Sequence, residues 1–225
     1  MGFVKGRAIM DNILLVQEFY QDLDVRVRGC NLILKLDIAK AYDNIDWNFI
    51  YRILNFFGFN SILIKLIRNC VEGAYFTRIV NGSSNGYFKS SHGLRQGDPI
   101  SPAFFIIAAK FLSRGLTNLY MNTPSLYFRT LGDFFISHLC FADDFIVFTN
   151  AYVNRIHKLM DSFYQFEMVS GLSLNKNKRC FISSKRNPND CILGIKALTG
   201  FMHGQLPIIY LGVPIFKDRK NTFLF

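Results

Sequence analysis

Three apolar runs of strand length in this chain carry acids only at their ends. In Leu32-Ile33-Leu34-Lys35-Leu36-Asp37 three leucines alternate with other residues and Asp37 closes the run; about a hundred residues later, Phe134 to Phe141 and Phe145 to Phe148 flank Ala142-Asp143-Asp144. Alternation puts the leucines on one face of a strand, and the later pair predicts a tight hairpin with two acids at its tip. Each acid is then anchored by a rigid, buried element. Carboxylates brought together in a sheet repel, and their pKa values rise unless a cation neutralises them. A divalent ion with hard oxygen ligands, Mg²⁺ above all, does this, and two such ions can activate a 3′ hydroxyl while stabilising a departing pyrophosphate. Taken alone, Asp143-Asp144 reads equally as an ordinary polar turn.

The elements between and after these runs are those of an α+β chain. A helix is expected from about Trp47, and another over Ser61 to Cys70, capped by Ser61 or Asn60. Tyr75 to Val80 and Gly86 to Ser90 predict a hairpin around Asn81-Gly82. Gly93-Leu-Arg-Gln-Gly-Asp-Pro-Ile-Ser-Pro102 is a loop, and Ser101-Pro102 starts a helix that should run to about Leu119. Val153, Ile156, Met160, Phe163 and Phe166 recur at helical spacing until Gly171, a helix terminator, and Cys180 to Ser183 is a short strand. Strands and hairpins alternating with helices indicate an antiparallel sheet covered by helices on one face, in one continuous domain without repeats or linkers.

Composition narrows the chemistry. The 225 residues hold 26 Lys plus Arg against 16 Asp plus Glu, a net charge of +10, while half are hydrophobic, so a folded core under a cationic surface is expected rather than a disordered basic tail. The 24 Phe and ten Tyr suit a core and equally suit stacking on bases. Five widely spaced cysteines form no C-x-x-C pair, which argues against a disulfide framework or zinc site and for a reducing compartment. No signal peptide and no span of about 20 apolar residues is visible, so no membrane partner is expected. The loops and motifs of P-loop NTPases, dinucleotide enzymes, zinc proteases and serine hydrolases are missing, and His92, His138, His157 and His203 are scattered. Gly97 permits close backbone approach to a ligand, Gln96 can bond a base or sugar edge, and Lys178, beside Lys176 and Arg179, reads either as a solvated charge or as a proton donor and phosphate contact.

Taken in order, Asp37-Ile-Ala-Lys-Ala-Tyr42-Asp43, Gly93 to Pro102, Phe141-Ala-Asp-Asp144, Ser170-Gly-Leu-Ser-Leu-Asn175 with Lys178, and Tyr210-Leu-Gly-Val-Pro214 resemble the successive palm motifs of reverse transcriptases. The resemblance is to the non-LTR (LINE-type) retrotransposon branch, as found in plant genomes. Gly6-Arg7, Asp11-Asn12-Ile13 and Gln17-Glu18 resemble the segment that precedes the palm there.

That resemblance implies RNA-directed DNA polymerase activity: two-metal transfer from a deoxynucleotide to a primer 3′ hydroxyl, with RNA template, DNA primer and dNTP as partners. Asp37, Asp143 and Asp144 would hold two Mg²⁺ ions, or Mn²⁺ in their place, and Lys178 would protonate pyrophosphate or organise the site. Tyr42 would sit beneath the incoming sugar and exclude a 2′ hydroxyl; with Gln96 and Gly97 it would bind the nucleotide. Arg95, Gln96, Gly97, Tyr210, Leu211 and Gly212 would contact template and primer. The expected organisation is a lead-in over 1–30 from the fingers, then a palm over 31–225 with a fingers insertion around 47–100 and the start of a thumb connection near 210–225. The upstream fingers strands and a full thumb have no counterpart here, so the chain reads as a fragment covering mainly the palm. A nuclear site of action is implied, although no basic import cluster is evident. A non-catalytic nucleic-acid-binding remnant is the alternative, and a template-independent nucleotidyl transferase a third reading.

Overall fold

The computed structural model describes residues 6, 8–27, 29–132 and 134–217. Of the segments read above, Arg7 and the last part of the expected thumb connection, 218–225, lie outside them. Helix α1 (Ile9–Gln21) leads into the central strand β1 (Asn31–Ala39), followed by α2 (Ala41–Asn44), α3 (Trp47–Phe56) and α4 (Ser61–Glu72). The hairpin β2 (Tyr75–Val80) and β3 (Ser83–Lys89) precedes the long helix α5 (Ser101–Asn122). The hairpin β4 (His138–Phe141) and β5 (Asp144–Asn150) is followed by α6 (Val153–Ser170), β6 (Ser173–Leu174), β7 (Cys180–Ser183) and α7 (Asn189–Thr199). Strand β8 (Met202–His203) and the hairpin β9 (Ile208–Tyr210) and β10 (Val213–Ile215) complete the fold.

The main sheet runs β4-β5-β1-β7-β8, with β6 pairing the end of β1; every pairing is antiparallel except β7 with β8. Strand β1 sits at its centre because both its faces are apolar, as a strand covered on both sides must be. Leu32, Leu34, Leu36 and Ile38 point into a large core shared with α3, α5 and α6, as the alternation predicts. Ile33 points the other way, into a second core with Ile146, Phe148 and Ile182. That second face is not bare: Ile13, Val16, Phe19 and Tyr20 of α1, and Ile208, Tyr210 and Ile215 of the β9–β10 hairpin, cover part of it. Among the described residues the α-helices are therefore concentrated on one face, with α1 on the other.

Local signals held where the chemistry was specific. Asn60, not Ser61, caps α4, its Oδ1 accepting from the Ile62 N–H at 2.8 Å. Gly171 ends α6 in the left-handed region at φ 73°, where a Cβ would come within 2.7 Å of the Asn44 carbonyl oxygen. One run was shorter than expected: β4 begins at His138, and Phe134 and Phe135 are exposed in the preceding loop. The reason is competition for β5. Thr149 bridges Tyr127 instead, so no partner remains on β5 for residues before Ser137, whose carbonyl accepts from Phe148 N–H at 2.9 Å.

Candidate active site

The acidic ends of β1 and of the β4–β5 hairpin meet. Strands β1 and β5 pair in a register that sets Lys35 opposite Ile146 and Asp37 opposite Asp144. Directly opposed residues of an antiparallel pair share a face, so the two carboxylates rise side by side. Asp143 lies in the two-residue turn of the hairpin, where Ala142 takes a left-handed φ of 51°, and its carbonyl accepts from Ile38 N–H at 3.2 Å. That bond ties the turn to β1 and brings the third acid to the same end of the sheet. Asp37 is buried, Asp144 half-buried and Asp143 exposed, a gradient from anchor to solvent.

Cations and amides already compensate these charges. Lys178 Nζ lies 3.2 Å from Asp37 Oδ1, and Asn175 Nδ2 donates to Asp37 Oδ2 at 3.1 Å. The Asn175 N–H also donates to the Asp37 carbonyl at 2.8 Å, pinning the loop after β6 to β1. Lys35 Nζ stands 3.7 Å from Asp144 Oδ1. Burial pushes the Asp144 pKa up, Lys35 opposes this, and the charges of Asp143 and Asp37 push it up further, so the three acids feel one another. The Asp37 contact, hydrogen bond first and charge second, raises the Lys178 pKa and keeps its ammonium protonated.

Beside the acids lies a cavity of about 590 Å³ lined by Tyr42, Asp43, Arg95, Gln96, Ser101 and Phe104, among others. The Tyr42 ring stacks on Phe105 with centroids 5.8 Å apart; burial first, and the Asp143 charge second, raise its hydroxyl pKa. Gln96 Nε2 donates to Asp43 Oδ1 at 3.2 Å, and Gly97 takes a left-handed φ of 89° in the exposed loop. Arg95 reaches away from the acids, donating to the Cys70 carbonyl at 3.2 Å and lying over the Phe76 ring. Gly93 joins this loop to the rest of the site. Its carbonyl accepts from Trp47 Nε1 at 2.6 Å, and its N–H donates to the Ile45 carbonyl at 2.9 Å.

Tyr210, Leu211 and Gly212 form the β9–β10 turn, with positive φ at both Leu211 and Gly212 as a two-residue hairpin link demands. The Tyr210 side chain is fully buried in the second core, so only the turn after it faces outward. Burial, then the Asp144 charge, raises the Tyr210 hydroxyl pKa. The structure thus gathers Asp37, Asp143, Asp144 and Lys178 at one point, with Tyr42 and Gln96 beside it. Arg95 lines the same cavity but bonds to the Cys70 carbonyl, and the Tyr210 ring is buried in the second core. Sequence reasoning missed Lys35, Asn175 and Asp43 as members of the site. Lys35 was legible, because it precedes Asp37 by two and so shares its face; Asp43 and Asn175 close two of the motifs quoted above, but nothing local assigned either of them a role.

The donors fit a divalent ion by their chemistry: hard carboxylate oxygens on two adjoining segments, the outermost open to solvent. Among the described residues no group of three or more His, Cys, Asp or Glu could hold a metal by itself. Mg²⁺ does not require such a cage, since it binds through one or two carboxylates plus water and substrate phosphates.

An antiparallel sheet backed by helices, with acids at the joined ends of its central strand and neighbouring hairpin, defines the palm of a nucleic-acid polymerase. The solved structures agree on the fold. Apo telomerase from Candida tropicalis, truncated from its C-terminal domain, superposes with a TM-score of 0.60 over 80% of this chain and 36% of that one, at 16% identity. Telomerase from Candida albicans, solved with a fragment of telomeric RNA, gives 0.59 over 81% and 31%, at 14% identity. Residues 1–215 match the family model for reverse transcriptase (RNA-dependent DNA polymerase), and the chain belongs to that family. Its relatives include the Pol polyprotein of the type-2 retrotransposable element R2DM of Drosophila melanogaster, 28% identical over 83% of this chain, and that of a type-1 R2 element of Popillia japonica, 26% identical over 99%. The branch is thus that of non-LTR retrotransposons. The chain spans 17% and 29% of those two polyproteins. The family generally uses divalent metal ions. No helix among the described residues is long and apolar enough to cross a membrane.

Proposed function

We propose that this chain is the palm of an RNA-directed DNA polymerase that adds deoxynucleotides to the 3′ hydroxyl of a DNA primer on an RNA template. The observation that carries this reading is the register of β1 and β5, which sets Asp37 against Asp144, with Asp143 tied to Ile38 at the same end. Residues 31–217 would be palm, 47–100 its fingers insertion and 210–217 the beginning of the thumb connection.

In this mechanism Asp37, Asp143 and Asp144 would hold two Mg²⁺ ions, which would supply Lewis-acid activation of the primer hydroxyl and charge stabilisation at the phosphates. The rest is done by side chains. Tyr42, held by its stack on Phe105, places a ring against the sugar and clashes with a 2′ hydroxyl. Gln96, oriented by Asp43, meets the nascent base pair, and Gly97 lets the backbone approach it. Lys178, kept protonated by Asp37, delivers its proton to pyrophosphate as the P–O bond breaks. The Leu211-Gly212 turn supports the primer end.

A second reading, a nucleic-acid-binding remnant without catalysis, is favoured by one observation: Lys178, Asn175 and Lys35 already satisfy the carboxylates. Primer extension separates the two. With Mg²⁺ and dNTPs the chain should lengthen a DNA primer in a sequence set by an RNA template, and Asp143→Ala should lower the rate by about 10²- to 10³-fold or more. Template-bound protein that never extends the primer even when fingers and thumb are restored, with binding indifferent to Asp143→Ala, would establish the remnant instead.

A further inference from the structure

At the far end of β1 and β5 from the acids, a cavity of about 730 Å³ is lined by Val27, Ser125, Arg129, Thr130, Asn150, Tyr152 and Arg155. Asn150 pairs with Asn31, and Asp37 lies six residues along β1, so the cavity is about 20 Å from the acidic end. Among the described residues its lining holds two arginines and no acid, and neither arginine has an ion pair with a described residue.

Arg155 is held by its side chain and Arg129 by its backbone. The Arg155 guanidinium lies over the Tyr152 ring, 4.1 Å from its centroid, and donates to the Ser125 carbonyl at 2.8 Å. Only one of its nitrogens is spent on that bond and on a longer one to Asn150 Oδ1 at 3.5 Å, which leaves the rest of its donor fork open. The Arg129 backbone is clamped from both sides by the fully buried Asn31, whose Nδ2 donates to the Arg129 carbonyl at 2.8 Å and whose Oδ1 accepts from its N–H at 3.0 Å. A planar, always-charged fork fixed in a concave wall, with no carboxylate partner among the described residues, matches a phosphate, which takes two parallel N–H bonds.

We propose that this cavity is a phosphodiester-binding site: a second foothold for nucleic-acid backbone behind the palm, separate from the template–primer end. It neither uses the aspartates nor depends on polymerisation. A chain of net charge +10 attracts backbone everywhere, so the test must distinguish this cavity from general attraction.

The test is fluorescence anisotropy of the chain with a labelled 20-nucleotide RNA and, separately, a labelled DNA duplex, titrated across salt concentrations. Arg129 is exposed, so Arg129→Glu and Arg129→Ala keep the fold, which circular dichroism verifies. Arg129→Glu should weaken binding about tenfold at 0.1 M salt, and Arg129→Ala should flatten the slope of log K against log salt by about 0.7 to 0.9, the loss of one phosphate contact. Arg155→Lys, which keeps the charge and loses the fork and the stack, should weaken binding in the same arm. An effect in the RNA arm, the DNA arm or both supports the site and identifies which backbone it holds. Wild-type affinity and slope for both Arg129 variants in both arms would overturn it. So would an equal loss in Lys196→Glu, a charge-matched change on the exposed face of α7, because the effect would then be net charge alone.

Discussion

Asp37 and Asp144, 107 positions apart in the sequence, are direct partners across the β1–β5 pair, and Lys35, two residues earlier on the same face, stands 3.7 Å from Asp144. The sheet therefore fixes the spacing of the acids, and their lysine partners offset a repulsion that would otherwise weaken the centre of the fold. The proposed chemistry and the stability of the palm are read from the same few residues.

Tyr42 should govern the choice of sugar. Its ring, not its hydroxyl, meets the 2′ position in the proposed pose, so Tyr42→Phe should leave discrimination near wild type. Tyr42→Val, which removes the ring stacked on Phe105, should raise ribonucleotide use relative to deoxynucleotide by about 10- to 200-fold. Single-nucleotide incorporation with matched dNTP and rNTP pairs measures this ratio, and an unchanged ratio in Tyr42→Val would remove Tyr42 from the role.

Lys178 is a proton donor in this account. Lys178→Met should lower the rate of incorporation by about 10²-fold, with nucleotide affinity changed far less. The wild-type pH–rate profile should then show an alkaline limb that disappears in the variant. A profile of the same shape in both proteins would mean that the lysine only balances Asp37.

Gly93 carries the link between the Tyr42 segment and the Gln96 loop. Its φ is 84°, and a Cβ there would approach the Asp43 carbonyl oxygen to 2.6 Å and that of Tyr42 to 3.0 Å. Gly93→Ala should cost about 1–3 kcal/mol and displace both residues from the cavity. Thermal melting reads the first effect and nucleotide affinity the second.

His138 should make stability fall in mild acid. It is bonded to Ser137 Oγ at 2.9 Å and to Ser113 Oγ at 2.8 Å, and burial, helped by the Lys110 charge, lowers its pKa to about 4. Unfolded, the imidazole takes a proton near 6.5, so between these values protons favour the unfolded chain. Its contribution is therefore full above about pH 6.5 and is lost as the pH falls toward 4. Urea unfolding at pH 7.5 and 4.5 should show wild type losing on the order of 2 kcal/mol more than His138→Gln.

Much of this was legible in the sequence because it is local. The alternation of Leu32, Leu34 and Leu36, the Asn60 cap and Gly171 each have a short-range cause, and each appears where that cause puts it. Helix α1 escaped notice although Ile13, Val16, Phe19 and Tyr20 form a buried stripe, since Ala8 supplies no side-chain cap and no start signal marks it. Phe134 and Phe135 looked like strand because they are apolar, but β5 was already bridged at Thr149 by Tyr127. The strand order β4-β5-β1-β7-β8 and the contacts of Asn175 and Asp43 arise from pairings across the whole chain, which no local pattern records. The acids themselves were conspicuous because each ends an apolar run.

The central claim is that Asp37, Asp143 and Asp144 serve one metal centre, and paramagnetic broadening by Mn²⁺ in the amide NMR spectrum of the chain tests it without any need for catalysis. At substoichiometric Mn²⁺ the account predicts simultaneous loss of the signals of residues 36–38, 142–145 and 175–178, abolished by Asp143→Asn. Broadening confined to one of these segments, or persisting unchanged in Asp143→Asn, would contradict it.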